Sequence, residues 1–332
     1  MATKQAATRF TNNQGIHLAV AVWLADDDYQ YSDIPNAISV TTLIKSPKQI
    51  LLSMRVPVEQ AIPDIADRIA SRMGQALHSG IEHSWKNKYA ESLKKLGYPP
   101  GAIKCIRINP EQQEPDTIPV YIEVRNTREI AGVVVTGQVD LIIEGRLHDV
   151  KKTSVWGYQN MTNVEDKWKL QASIYRWLNP EKIVHDELFV QYLLLDWSRA
   201  FAKRDPNYPP HAVPHRVVPM LSLAETENWI RNRLTLLSQL KDAPEESMPE
   251  CSDDDLWRSA PVYKYYSVEN PQPGQRSSKN FDDMSEAMKH LTAKGKGTVL
   301  KKPGQVGACK FCEALPICQQ ARNLVAIGDL VI

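Results

Sequence analysis

The chain has 332 residues, 42% hydrophobic and 24% charged, which is the composition of an ordinary globular protein with one large domain or a domain and an appendage. Its net charge of +1 and pI of about 7.6 exclude a globally basic body, so a nucleic-acid surface would have to be a local groove. No stretch approaches ~18 apolar residues, so no transmembrane helix and no membrane partner are expected.

The opening MATKQAATRFTNNQG lacks the apolar core of a signal peptide, and a cytoplasmic location is expected. Residues 17–24, HLAVAVWL, form a strand or helix that periodicity does not settle, and the acidic run at 26–28 reads as a solvated turn. Residues 39–55 read as a cap followed by an amphipathic helix. Over 64–88, Ile65, Ile69, Met73, Leu77, Ile81 and Trp85 recur at four-residue spacing, which is helical, while His78 and Glu82 share another face. An irregular connector is expected over 93–117, and a strand over 119–125 that carries Glu123, a further candidate for the site described next.

Residues 137–154, GQVDLIIEGRLHDVKKTS, are the most informative stretch. Two β-rich runs flank Glu144-Gly145, a two-residue hairpin turn with glycine where positive φ is required. That turn sets residue 143 opposite 146, 142 opposite 147, 141 opposite 148, and Asp140 opposite Asp149. Like charges directly opposite are destabilising, and Lys151 points to the same face as Asp149. Two acids and a lysine there are either an exposed polar face with an ion pair or a divalent-metal site with hard oxygen ligands and a cation beside them.

Farther on, residues 165–178 read as a largely buried helix, with Gln171 and Tyr175 four apart on one face. Residues 187–196 read as a central strand buried on both faces. Arg199, Lys203 and Arg204, interleaved with Trp197 and Phe201, make either a phosphate-backbone contact or a charged loop. Ser222 caps a helix over 223–241, and residues 244–249, PEESMP, mark a boundary. A strand is expected over 262–268 and a helix near 282–291.

Five cysteines is an odd count, and three crowd into the last section, which favours a reducing compartment and metal ligation over disulfides. Cys309 and Cys312 have the spacing of a metal knuckle, with Cys318 five residues beyond. A four-thiolate site needs one more ligand, either Cys251, which opens the same section, or Cys105. Ligand count does not separate zinc from iron–sulfur.

Taken in order, GQALHSGIE, GQVDLI, HDVKKTS, QASIY and the three C-terminal cysteines resemble the motifs of the PD-(D/E)XK nucleases. The likeness is to the RecB-like branch, which includes AddB-type subunits and the four-cysteine CRISPR adaptation nucleases. The resemblance implies a restriction-endonuclease-like α/β fold, a mixed β-sheet flanked by helices with a C-terminal cysteine-cluster subdomain. The nuclease core would span 1–245, and a four-cysteine section packed on it would span 246–332. It further implies His78, Asp140, Asp149 and the Val150 carbonyl as ligands of Mg²⁺ or Mn²⁺, with Glu82 in support. Lys151, Gln171 and Tyr175 would complete the catalytic set, and a 4Fe–4S cluster (or, in its place, Zn²⁺) would sit on Cys251, Cys309, Cys312 and Cys318. The small CRISPR-type members carry their first cluster cysteine where this chain has Ile44-Lys45-Ser46-Pro47. The expected function is that of a metal-dependent DNA exonuclease in recombination or repair. The alternatives are a nucleic-acid-binding module that keeps the fold without catalysis and a zinc-stabilised interaction protein. No phosphate-binding GxxxxGK[ST] loop is present, so a helicase, recombinase or strand-annealing partner would be a separate chain.

Overall fold

The computed structural model describes residues 9–26, 34–57, 62–161, 164–272 and 274–332; of the acidic run at 26–28, Asp27 and Asp28 lie outside them. The elements in chain order are α1 (Leu18–Ala25), β1 (Ala37–Ser39), α2 (Val40–Leu43), α3 (Pro47–Ser53), α4 (Ile69–Lys95), α5 (Pro100–Cys105), β2 (Ile106–Ile108), β3 (Ile118–Ile130), β4 (Val133–Ile143) and β5 (Arg146–Thr153). There follow α6 (Val155–Gln159), α7 (Val164–Leu178), β6 (Glu187–Leu194), α8 (Arg199–Ala202), β7 (His215–Pro219), α9 (Leu223–Leu240), β8 (Val262–Tyr266), β9 (Lys279–Phe281), α10 (Met284–Lys294), β10 (Thr298–Lys302) and α11 (Gln319–Ala326). Among the described residues no helix is long and apolar enough to cross a membrane.

The chain divides into two compact units, one of residues 1–44 and 62–239, the other of 45–61 and 240–332. The first holds a seven-stranded mixed sheet in the order β2-β3-β4-β5-β6-β7, with β1 added parallel to β4, and helices flanking it. Its main core gathers Ile142, Leu147, Val190 and Tyr192 from the strands with Ala172 of α7, and Trp168 and Tyr175 pack against it.

Several expectations from the sequence need correction here. The single helix expected over 39–55 is two short ones, because Ser39 and Ser46 each cap a new start and Pro47 opens α3. The expected connector over 93–117 holds the end of α4, all of α5 and β2, with Pro100 serving as a helix-opening residue rather than a breaker. β6 lies between β5 and β7, but its residues alternate, with Leu188, Val190, Tyr192 and Leu194 buried and Gln191 exposed. One face of that strand meets the core, not both.

Gly137 explains how α2 and α7 come so close to β4. A Cβ there would lie 2.8 Å from Val40 Cγ2 and 2.9 Å from both Leu178 Cδ1 and Tyr175 Cε1. Gly137→Ala is therefore expected to cost ~1–3 kcal/mol through overpacking. Urea unfolding checks it, as a lowered midpoint with an unchanged slope.

The second unit begins with α3. Beyond it, the Arg55 guanidinium donates to the carbonyls of Leu240, Lys241 and Ala243, which holds the two separated chain segments together. β8, β9 and β10 form a small antiparallel sheet in the order β10-β8-β9, with α10 packed on one face through Tyr265, Phe281, Ala287 and Leu291. The cysteine section follows.

Candidate metal centre

The turn at Glu144-Gly145 is as the sequence implies: both residues have positive φ, 49° and 75°, which is the two-residue turn whose twist suits a hairpin. The β4–β5 ladder then pairs Ile143 with Arg146, Ile142 with Leu147 and Leu141 with His148, and there it stops. Asp140 and Asp149 were expected to be the next pair, but β5 leaves β4 at this point and runs parallel to β6, Asp149 registering with Val190. Two carboxylates in a closed ladder would repel, and the parting of the strands gives them room.

Asp140 also lacks a regular partner on its other side. In the β3–β4 ladder Ile122 pairs with Leu141 and Val124 with Val139, while Glu123, which lies between them, has φ of 54° and breaks the ladder. A non-glycine residue in that conformation within a strand is strained. β4 thus presents Asp140 at a gap in the sheet, beside a narrow, solvent-open cleft lined by His78, Glu82, Glu123, Asp140, His148 and Val150, among others.

His78, Asp140 and Asp149 each offer a ligand atom, and these three atoms lie within 4.8 Å of one another. His78 Nδ1 is 3.2 Å from Asp140 Oδ2, and Lys151 Nζ is 2.9 Å from Asp149 Oδ2. The other oxygen of Asp149, Oδ1, is buried without a hydrogen-bond partner. Such an oxygen is costly unless something positive meets it. A nitrogen ligand, two carboxylates and a nearby backbone carbonyl fit a hard divalent cation such as Mg²⁺ or Mn²⁺.

The surroundings set the protonation states. The hydrogen bond to Asp140 holds the His78 imidazolium above the usual histidine range, with burial opposing it. Burial raises Glu123, helped by Asp140 and opposed by a hydrogen bond from Gln138. Gln138 in turn accepts from Arg125 at 2.7 Å, a chain that orients the Glu123 carboxylate. Burial and Arg146 push His148 down to about 4, which keeps it neutral at pH 7. His148 was not singled out in the sequence, where it reads as an ordinary strand residue.

The remaining expected site residues fall in several places. Gln171 donates to the Tyr175 hydroxyl at 3.2 Å, and Tyr175 packs over Gly137, three residues before Asp140. Glu82 lines the cleft and is bridged to Lys86 at 2.7 Å. Arg199, Lys203 and Arg204 are exposed on α8 and the turn after it, outside the residues that line the cleft. Cys105 ends α5 in the first unit.

Cys251, Cys309, Cys312 and Cys318 line one cavity of ≈ 460 Å³, part of it open to solvent, in the second unit. Gln320 fixes Cys251 from both sides, accepting from its N–H at 2.9 Å and donating to its carbonyl at 3.0 Å. Cys318 caps α11, and Ser46 Oγ lies 3.0 Å from Cys251 Sγ. Burial raises all four thiols, Cys309 to about 11, so that without a cation they stay protonated.

No family model and no curated protein matches the chain. Among solved structures it is similar to the crystal structure of SSO0001, at 17% identity and a TM-score of 0.37, over 64% of this chain and 81% of that one. A likeness so slight carries no argument.

Proposed function

We propose that the protein is a divalent-metal-dependent deoxyribonuclease that degrades DNA from its ends in recombination or repair. The observation that carries this is the meeting of His78, Asp140 and Asp149 at the gap in the sheet, with Lys151 on Asp149 and one Asp149 oxygen buried and unpartnered. The order of the motifs, which resembles the RecB-like PD-(D/E)XK nucleases, supports the same reading. His78, Asp140, Asp149 and the Val150 carbonyl would hold Mg²⁺ or Mn²⁺, which when bound supplies Lewis-acid polarisation of the phosphate and acidifies a water. Lys151, held by Asp149, presents its N–H donors where negative charge develops on the phosphorus oxygens. Gln171 and Tyr175 steady α7 against β4. Arg199, Lys203 and Arg204, beside the exposed Phe201, would take the DNA backbone. A module that only binds DNA has no need of Asp140, Asp149 and Lys151 together.

Digestion of end-labelled linear, circular and single-stranded DNA with Mg²⁺ or Mn²⁺ tests the proposal. Cleavage of linear but not circular DNA is expected, and no metal-dependent cleavage of any substrate would refute it. Lys151→Ala should lower kcat far more than it weakens DNA binding, because an interaction made in the transition state acts on the rate. A loss wholly in affinity would make Lys151 a phosphate contact only.

His78 gives a pH prediction. Its raised pKa means that the His78–Asp140 pair stabilises the metal-free fold below pH ~6.5, and that this contribution is lost as pH rises through the folded value. Metal binding has the opposite sign, since only the neutral imidazole ligates. Calorimetric Mn²⁺ affinity should therefore rise between pH 6 and pH 8 and lose part of that dependence in His78→Gln.

For the cysteines we favour a 4Fe–4S cluster over zinc. The spacings of Cys309, Cys312 and Cys318 resemble those of the RecB-like branch, which supports that choice. Ser46, in the segment where the CRISPR-type nucleases carry their first cysteine, touches Cys251, which would take that ligand's place. A separate helicase, recombinase or strand-annealing chain would deliver the DNA.

A further inference from the structure

The small sheet of the second unit has a second face that the nuclease reading does not use. Tyr263, Tyr265, Phe281 and Val299 point toward α10 and are packed in its core. The alternate residues of the same strands form the opposite face: Val262, Lys264 and Tyr266 on β8, Asn280 on β9, Thr298, Leu300 and Lys302 on β10. The registers fix their neighbours, with Lys264 between Asn280 and Leu300, and Lys302 opposite Val262. Leu300 is 47% exposed; Asn280 and Lys302 are exposed; Val262, Lys264 and Tyr266 are half-buried. No acidic residue occupies a strand position on that face.

The charge of the whole segment agrees. Residues 262–302 hold eight Lys and Arg against four Asp and Glu, while the rest of the chain holds 32 against 35. Of these eight, Lys264 and Lys302 stand on the open face, where no acidic strand residue offsets them. The face combines an aromatic ring, two apolar side chains, an amide and two ammonium groups on a small sheet. Aromatic rings stack on unpaired bases whatever their identity, and lysines track the phosphates. A duplex hides its base faces and would use only the lysines.

The geometry points to the open face of β8, β9 and β10 as a platform for single-stranded DNA, with Tyr266 stacking on a base and Lys264 and Lys302 meeting phosphates. It is separate from the metal centre and needs no metal.

The test is fluorescence anisotropy of the full chain in EDTA, so that binding is read whether or not the protein cleaves. The probes are a labelled 20-residue oligodeoxythymidylate, a hairpin duplex and oligouridylate. Lys264→Glu with Lys302→Glu should weaken oligodeoxythymidylate binding at least ~30-fold and lower the salt slope by about one to two. Tyr266→Ala should weaken it about tenfold, with Tyr266→Phe near wild type. Lys289→Glu with Lys294→Glu makes the same change in net charge on α10, at two exposed positions, and should stay within about twofold. Lys264→Arg with Lys302→Arg should bind like wild type, which separates lost charge from lost fold. Equal losses in the two glutamate pairs, or no loss in either, would overturn the platform. Tighter binding of the duplex or of oligouridylate would overturn single-stranded DNA as its ligand.

Discussion

Asp149→Asn is expected to reduce Mg²⁺-dependent DNA cleavage by about 10³-fold or more while leaving the protein folded. In the proposed site each carboxylate would serve the ion and not the packing, and losing a ligand would forfeit several kcal/mol of metal-supplied stabilisation, with each ~1.4 kcal/mol worth a decade in rate. Asp140→Ala should behave alike. In the metal-free protein neither change removes apolar burial, and Asp149→Asn relieves a buried anionic oxygen that has no partner. Without metal the melting temperature of Asp149→Asn should hold or rise, whereas Asp140→Ala forfeits the His78 pair and should melt lower below pH ~6.5. Wild type should be stabilised by Mn²⁺ in proportion to ligand occupancy, and both variants should lose that shift. This second readout does not pass through activity. Cleavage within a fewfold of wild type, or an unchanged Mn²⁺ shift, would remove these residues from the metal centre.

The hairpin that carries these acids was legible because its information is local. A turn that requires positive φ at Glu144 and Gly145 fixes the register, and a period of two then assigns the faces, so Lys151 had to join Asp149. What was not legible is that β5 parts from β4 one pair before the acids meet and continues along β6, with which it is paired from Leu147 to Thr153. That depends on a parallel partner some 40 residues away, whose position no local pattern encodes. The conformation of Glu123 was hidden for a related reason. Nothing in PVYIEVR marks a break in the ladder, and only the tertiary arrangement around Asp140 holds it there. The two short helices α2 and α3 are a different kind of miss. Ser46-Pro47 is a standard helix start, but the apolar spacing runs across it without a break. β6 was read as buried on both faces because its exposed position is Gln191 in an otherwise apolar run.

Cys251→Ser should abolish assembly of the cysteine-bound centre, whereas Cys105→Ser should leave it intact. From sequence the two were rivals for the fourth ligand; in the structure Cys251 lines the cavity with Cys309, Cys312 and Cys318, and Cys105 lies in the other unit. Contact between Cys251 and Ser46 joins positions 205 residues apart, which is why spacing alone left the choice open. A bound centre would close the 57-residue segment between Cys251 and Cys309. Closing a loop of that length costs the unfolded chain about 4 kcal/mol, which ligation offsets. The loss should therefore fall first on the second unit, seen as early proteolysis after residue 240 while the sheet of the first unit stays protected. Anaerobic purification should give a brown wild-type protein and a colourless Cys251→Ser variant, as thiolate-ligated iron–sulfur predicts. Wild type that is colourless and holds one equivalent of zinc would replace the cluster with zinc and keep the four ligands. Cys251→Ser with full metal content, and Cys105→Ser without it, would overturn the ligand set itself.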